Sequence, residues 1–273
     1  MTATKLVDRA VILARGLGTR MRSDAESAKI DASQASAADS GMKAMIPFGR
    51  PFLDYVLSGL ADVGYERACI VIGPEHSFVQ EHFAQIRPQR IRVEYAIQSK
   101  PIGTANAILA VEEFAGGEEF VVLNGDDLYP QEVLAGLRDL GEPGAVMFQE
   151  ESLVRNSNIP ADRIRTFAYG TVGRDGYLTN LVEKPDEARA NELRAHSLIS
   201  MNCWRFSSEI FPVCRAVAIS PRGEYELPVA VGEAVRGGMR LKIARSTAGV
   251  LDLSRRSDIS AVAARLKDIQ VRL

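Results

Sequence analysis

Long apolar runs are missing from this 273-residue chain, and with them any segment able to cross a bilayer as a helix, which needs roughly 18 to 20 such residues. The N-terminal MTATKLVDRA likewise lacks the apolar core of a secretory signal. An excess of one charge is missing too. A formal net charge of −2 gives no general attraction to nucleic acid or to an anionic membrane, so any polyanion site has to be local. Cysteine is scarce: Cys69, Cys203 and Cys214 lie far apart in apolar surroundings without a CxxC pair. That spacing offers no disulfide framework and reads as reduced core residues of a cytoplasmic protein. Imidazoles come only from His76, His82 and His196. The first two are not at a spacing that shares a helix face, which argues against a zinc site.

At 46% apolar and 25% charged residues, the chain has the balance of an ordinary globular protein and the length for one large α/β domain or two small ones. Short β-branched runs at 10–13, 68–72, 91–97 and 120–123 predict strands. Apolar residues three and four apart at 52–63, 78–86 and 104–114 predict helices between them. This β-α-β-α order implies a mostly parallel sheet with right-handed crossovers. After Gly144 the predicted strands, 145–150, 164–172, 177–182 and 200–206, are longer and more polar, with GRDG at 173–176 as a hairpin turn. A helix over about 256–271 closes the chain. Residues 23–42 hold six alanines and five serines among scattered charges. They predict a mobile surface loop, although the alanines would permit a helix on docking.

The stretch VILARGLGTRMR, residues 11–22, runs from a strand directly into glycines. Glycine lets backbone N–H groups approach an anion, and a plain structural turn is the alternative. The dinucleotide fingerprint GxGxxG fails at Met21, and no GK[ST] follows to make a P-loop. LARGLGTRMR, followed by the lysine of GMKAMIPFGRPFLDYVL, instead resembles the signature of the sugar-1-phosphate nucleotidyltransferases. QSKPIGTANAI (98–108) resembles that family's base-reading loop, and VVLNGDDLYP (121–130) its strand-end GD motif. YGTV (169–172) and LVEKPDE (181–187) are similar to two sugar-site motifs, RGEYELPVAV and GVLDLSRRSDI to two late segments. All occur in the family's order from residue 10 to about 260.

The resemblance implies a Rossmann-like, mostly parallel mixed sheet with helices on both faces and an extra β layer forming the sugar site. It implies a single domain, with 1–143 mainly nucleotide-binding and 144–273 mainly sugar-binding. In such enzymes a sugar 1-phosphate oxygen attacks the α-phosphorus of a nucleoside triphosphate and expels pyrophosphate, giving a nucleoside diphosphate sugar with the help of Mg²⁺. Asp126 and Asp252 would be the metal ligands, and Arg20, Lys43 and Asp126 the catalytic residues. Leu13, Ala14, Gly16, Gly18, Thr19, Gln98, Gly103 and Thr104 would hold the nucleotide; Gly170, Glu183, Lys184 and Asn202 would hold the sugar phosphate. A glutamine amide can give and take hydrogen bonds at once, which suits the O4/N3–H edge of uracil or thymine, so UTP or dTTP is expected. Use of ATP or GTP, or a non-catalytic nucleotide-sugar regulator on the same fold, are the alternatives. Individual residues also have plainer readings: Asp126 or Asp252 as a helix cap, Thr104 as an N-cap, Glu183 and Lys184 as an exposed ion pair. The expected partners are the two substrates, with no nucleic acid or membrane, and a homo-oligomer is left open. Arg15 departs from the pattern, standing where the family has Ala or Gly.

Overall fold

Four parallel strands make one side of the sheet. In the computed structural model, which describes residues 6–23 and 30–273, they are β1 (Arg9–Leu13), β2 (Arg67–Ile72), β3 (Arg92–Ile97) and β4 (Phe120–Asn124). The chain continues through β5 (Asp127–Leu128), β6 (Gly144–Phe148), β7 (Ala168–Val172), β8 (Leu178–Val182), β9 (Ser197–Phe206), β10 (Lys242–Ser246) and β11 (Leu251–Asp252). The main sheet runs β10-β6-β9-β4-β1-β2-β3. Strand β9 is antiparallel to both β4 and β6, so the sheet is mixed. The predicted hairpin β7–β8 joins the same sheet along the start of β9, with Ala168 opposite Ser200. The extra β structure of the second half is therefore an arm of the main sheet. Strands β5 and β11 form a separate antiparallel ribbon with Asp127 opposite Asp252.

Helices cover both faces, because successive strand residues point to opposite sides. They are α1 (Thr19–Ser23), α2 (Ala32–Ser40), α3 (Phe52–Val63), α4 (Ser77–Ile86), α5 (Thr104–Leu109), α6 (Glu112–Ala115) and α7 (Gln131–Arg138). The second half supplies α8 (Glu150–Asn156), α9 (Ala161–Ile164), α10 (Glu187–Arg194), α11 (Ile210–Ala216), α12 (Leu227–Arg236) and α13 (Asp258–Leu266). Ala10, Ile12 and Leu123 face one core with Leu53, Val56 and Leu60 of α3 and Leu134 of α7. Val11 and Val122 face the other with Ile108 of α5, Phe211 of α11 and Val231 of α12.

Four expectations change. Residues 24–29 of the expected loop lie outside the described residues, but 32–40 are helical. There Asp31 makes a capping box with Gln34, and Gln34 Nε2 donates to the Pro47 carbonyl at 2.9 Å. The helix expected over 104–114 breaks at Ala110–Val111, where both N–H groups turn to carbonyls three residues back. The strands expected at 145–150 and 164–172 are shorter. Two acidic residues in its first turn favour α8 from Glu150, and α9 takes the chain as far as Ile164. The last helix stops at Leu266, and the tail crosses α3, where Arg272 N donates to Ser58 Oγ at 2.9 Å and its guanidinium meets Asp62 at 2.9 Å.

Candidate active site

The site forms at the C-terminal edge of β1, β2, β3 and β4, where a parallel sheet leaves a crevice. Leu13 closes β1 and accepts from Gly125 N at 2.9 Å, while Ala14 N donates to the Val71 carbonyl at 3.0 Å. The glycine loop that follows has two different jobs. A Cβ on Gly16 would meet nothing within 4 Å, so this residue opens onto free space. Gly18, at φ +60°, lies so close to Gly41 that a Cβ would come within 2.2 Å of its carbonyl oxygen. Gly41 is itself the left-handed C-cap of α2. This backbone contact leads the chain from α2 straight to Lys43, whose ammonium pairs with Asp126.

Asp126 hangs from the turn between β4 and β5, and its carbonyl accepts from Leu253 N at 2.9 Å. That bond and the β5–β11 ribbon bring Asp126, Asp127 and Asp252 around one ammonium. Burial alone would lower the Lys43 pKa, but Asp126, then Asp252 and Asp127, outweigh it and raise it. Burial pushes Asp252 up to about 6, against the pull of Arg163, whose Nη2 sits 3.0 Å from Oδ1. Asp127 is raised further, by burial and by its two acidic neighbours, and its Oδ1 has no hydrogen-bond partner. Among the described residues no three His, Cys, Asp or Glu side chains form a ready-made metal cage. The cluster fits a hard cation nonetheless. Its donors are carboxylate oxygens, one of them, Asp127 Oδ1, orphaned, and burial raises both Asp127 and Asp252.

Gln98, just past β3, is nearly buried at 4% exposure, and its backbone N–H bonds to the Ile72 carbonyl at 2.9 Å. Its Nε2 donates to the Gly103 carbonyl and to Asn106 Oδ1, both at 3.0 Å. Both amide hydrogens are thus used, and the side chain has only an acceptor left for a ligand. Gly103 has φ +119°, and a Cβ there would lie 2.3 Å from the Tyr225 carbonyl oxygen. The glycine admits the α11–α12 loop. Thr104 serves that loop as well: Gly103, not Thr104, is the N-cap of α5, and the Thr104 hydroxyl accepts from Leu227 N at 2.9 Å.

One cavity of about 410 Å³ is lined by Leu13, Gly16, Gly18, Thr19, Arg20, Lys43, Gln98, Gly103, Thr104, Asp126 and Lys184 of the expected site. Ala14 lines a smaller recess continuous with it through Leu13, Gly16, Lys43 and Asp126. Gly170, Glu183, Asn202 and Asp252 do not line the cavity. Gly170 lies within β7, where a Cβ would strike Met147 Sδ at 2.5 Å, so it packs the sheet. Asn202, at φ +52°, turns its Oδ1 to Trp204 Nε1 at 3.4 Å. Glu183 pairs with Lys184 at 3.3 Å. Burial, then Glu226, pushes its carboxyl up to about 7. Arg15, Asn124, Arg222 and Glu224 also line the cavity. The last two lie in the RGEYEL motif, which marked the segment without saying which of its side chains face the site. A larger cavity, about 790 Å³, opens elsewhere beside β10 and contains none of the expected residues.

Residues 37–249 match the nucleotidyl transferase family, well over half of the chain. The chain belongs to that family. Nucleotidyl transferase relatives of this chain include UTP–glucose-1-phosphate uridylyltransferase AglF of Haloferax volcanii, 26% identical over 95% of this chain and 96% of that protein. YngB of Bacillus subtilis, of the same description, is 28% identical over 85% of this chain and 80% of that protein. Bifunctional protein GlmU of Methanococcus maripaludis is 26% identical over 84% of this chain, which spans only 47% of GlmU. A solved UDP-glucose pyrophosphorylase in complex with UDP-glucose shares the fold, with a TM-score of 0.75 at 18% identity over 97% of this chain and all of that one. No helix among the described residues is long and apolar enough to cross a membrane.

Proposed function

We propose that this chain transfers a nucleoside monophosphate from UTP or dTTP to a sugar 1-phosphate, releasing pyrophosphate. The observation that carries this reading is the convergence of Arg20, Lys43, Asp126, Gln98 and Lys184 on one cavity. Relatives described as UTP–glucose-1-phosphate uridylyltransferases support it. Two polyanions have to meet there, so positioning and charge neutralisation carry most of the catalysis. Arg20 and Lys43 would neutralise the triphosphate, and Lys184, across the cavity wall, would hold the sugar phosphate. A phosphate oxygen of the sugar then attacks the α-phosphorus as the bond to the β-phosphate oxygen breaks. Mg²⁺ would be held by Asp126 and Asp252 with phosphate and water oxygens; once bound it would supply charge neutralisation on the triphosphate. Lys43 would then leave Asp126 for the phosphates.

The state of Gln98 bears on the base. Its open acceptor calls for a donor: uracil and thymine offer N3–H, whereas adenine and cytosine offer only their exocyclic amines, beside the acceptors N1 and N3 that Gln98 has no hydrogen left to satisfy. Guanine also offers an N–H at this edge but needs more room. Pyrophosphate release with UTP, dTTP, ATP, GTP and CTP competing at equal concentration, with glucose 1-phosphate as acceptor, tests this. UTP or dTTP should have the highest kcat/KM; ATP or CTP in first place would mean that Gln98 does not read the base this way.

A further inference from the structure

Arg15 is the residue of the glycine loop that departs from the family pattern, and nothing in the proposed chemistry requires it. Its guanidinium is not turned to solvent: the side chain is only 8% exposed. Nε donates to the Gln98 carbonyl at 3.0 Å, and Nη1 lies 2.9 Å from Glu75 Oε1. The berth is built by Gly73 at the end of β2. A Cβ there would come within 2.5 Å of Arg15 Nε and 2.4 Å of Glu75 Oε2, so a larger residue would make the tips of this pair shift. His76 fixes this turn by accepting from Gly73 N at 3.2 Å. Three parallel strand ends are thereby tied together, with Arg15 after β1, Gly73 and Glu75 after β2, and Gln98 after β3.

The bond from Arg15 falls on the main chain of the residue whose side chain faces the base. Gln98 is now fixed at its N–H by Ile72, at its amide by Gly103 and Asn106, and at its carbonyl by Arg15. A charged donor makes the last bond stronger than a neutral one, and burial keeps water from replacing it. Glu75 is half exposed, so its pairing with Arg15 serves more to aim the guanidinium than to stabilise the fold. We infer that Arg15, seated over Gly73 and aimed by Glu75, is a positioning residue that holds Gln98 in register and thereby sharpens selection of uracil over cytosine. This rests on the reading of the cavity as a nucleotide site.

The test is calorimetric binding of UTP and CTP to the whole protein, with thermal midpoints measured alongside. Arg15→Ala should weaken UTP by about tenfold and narrow the UTP-over-CTP preference by a similar factor, the scale of one charge-assisted hydrogen bond. Arg15→Lys, which can reach only one of the two partners, should fall between. Gly73→Ala keeps the arginine but crowds its berth, and should shift the preference in the same direction. An unchanged UTP-to-CTP ratio in Arg15→Ala overturns the inference. With a lowered midpoint, Arg15 would be merely structural; with both nucleotides weakened equally, it would serve the phosphates. Wild-type protein that binds neither nucleotide would instead defeat the reading of the cavity itself, and the inference with it.

Discussion

At the scale of single residues, Glu183 shows what a motif reveals and what it hides. Its motif marks an acid, and Lys184 beside it does line the cavity. Its environment comes from a distant loop: Glu226, Glu224 and Arg222 face it together with its neighbour Lys184, and Arg222 is also shared with Glu226 at 3.2 Å. Burial and the second carboxyl push Glu183 up to about 7. The folded pKa lies above the unfolded one. The contribution to stability is therefore fully present below about pH 4.3 and is lost as pH rises through 7. Glu183→Gln should raise the thermal midpoint at pH 8 by about 2–4 °C, the scale of 1 kcal/mol in a chain of this size, and change it little at pH 4.5. Equal shifts at both pH values would show that burial does not raise Glu183. The same limit applied to Gln98. The residue was legible, but the direction of its amide was not, because it depends on Asn106 and Gly103 packing against it.

At the scale of elements, the legible ones are those that bury a regular stripe. Helix α3 spans the expected 52–63 because Phe52, Leu53, Val56, Leu57 and Leu60 all reach the core. Strands β5 and β11 have two residues each and carry no periodic signal, yet their ribbon sets Asp127 opposite Asp252. Helix α2 was hidden for another reason. Only Ala38 of its residues is buried, so its sequence looks like loop, and it holds by its cap, by Gln34 and by Asp39, which pairs with Arg256. Those contacts are few and polar, which makes α2 a segment of low local stability. It also leads into Gly41, against Gly18, and Lys43, which lines the cavity. Hydrogen exchange over 31–42 should therefore slow several-fold when UTP and Mg²⁺ are added. The same rate with and without them would uncouple α2 from the nucleotide.

At the scale of the whole molecule, the two halves of the chain interleave. Strand β9 of the second half lies between β4 and β6, and the loop carrying Arg222 and Glu224 closes over Gly103 and Thr104 of the first. The segment from Asp252 to Asp258 ties distant parts together. Asp252 and Asp258 both meet Arg163, at 3.0 and 2.9 Å, while Arg256 donates from Nε to the Met21 carbonyl at 2.8 Å. Sequence spacing could not show this, because Arg163 is far from both aspartates along the chain and carries no motif. It is only 5% exposed, as buried as the acids that it serves. Such a pair adds little over a well-packed apolar replacement, but removing one member leaves the others charged and without solvent. Arg163→Ala should therefore cost about 3–5 kcal/mol in urea unfolding at pH 7.5. It should also loosen Asp252, and with it the link between the ribbon and the cavity. A loss below about 1 kcal/mol, the range of an exposed pair, would mean that water reaches these carboxylates and that the segment is not held together through Arg163.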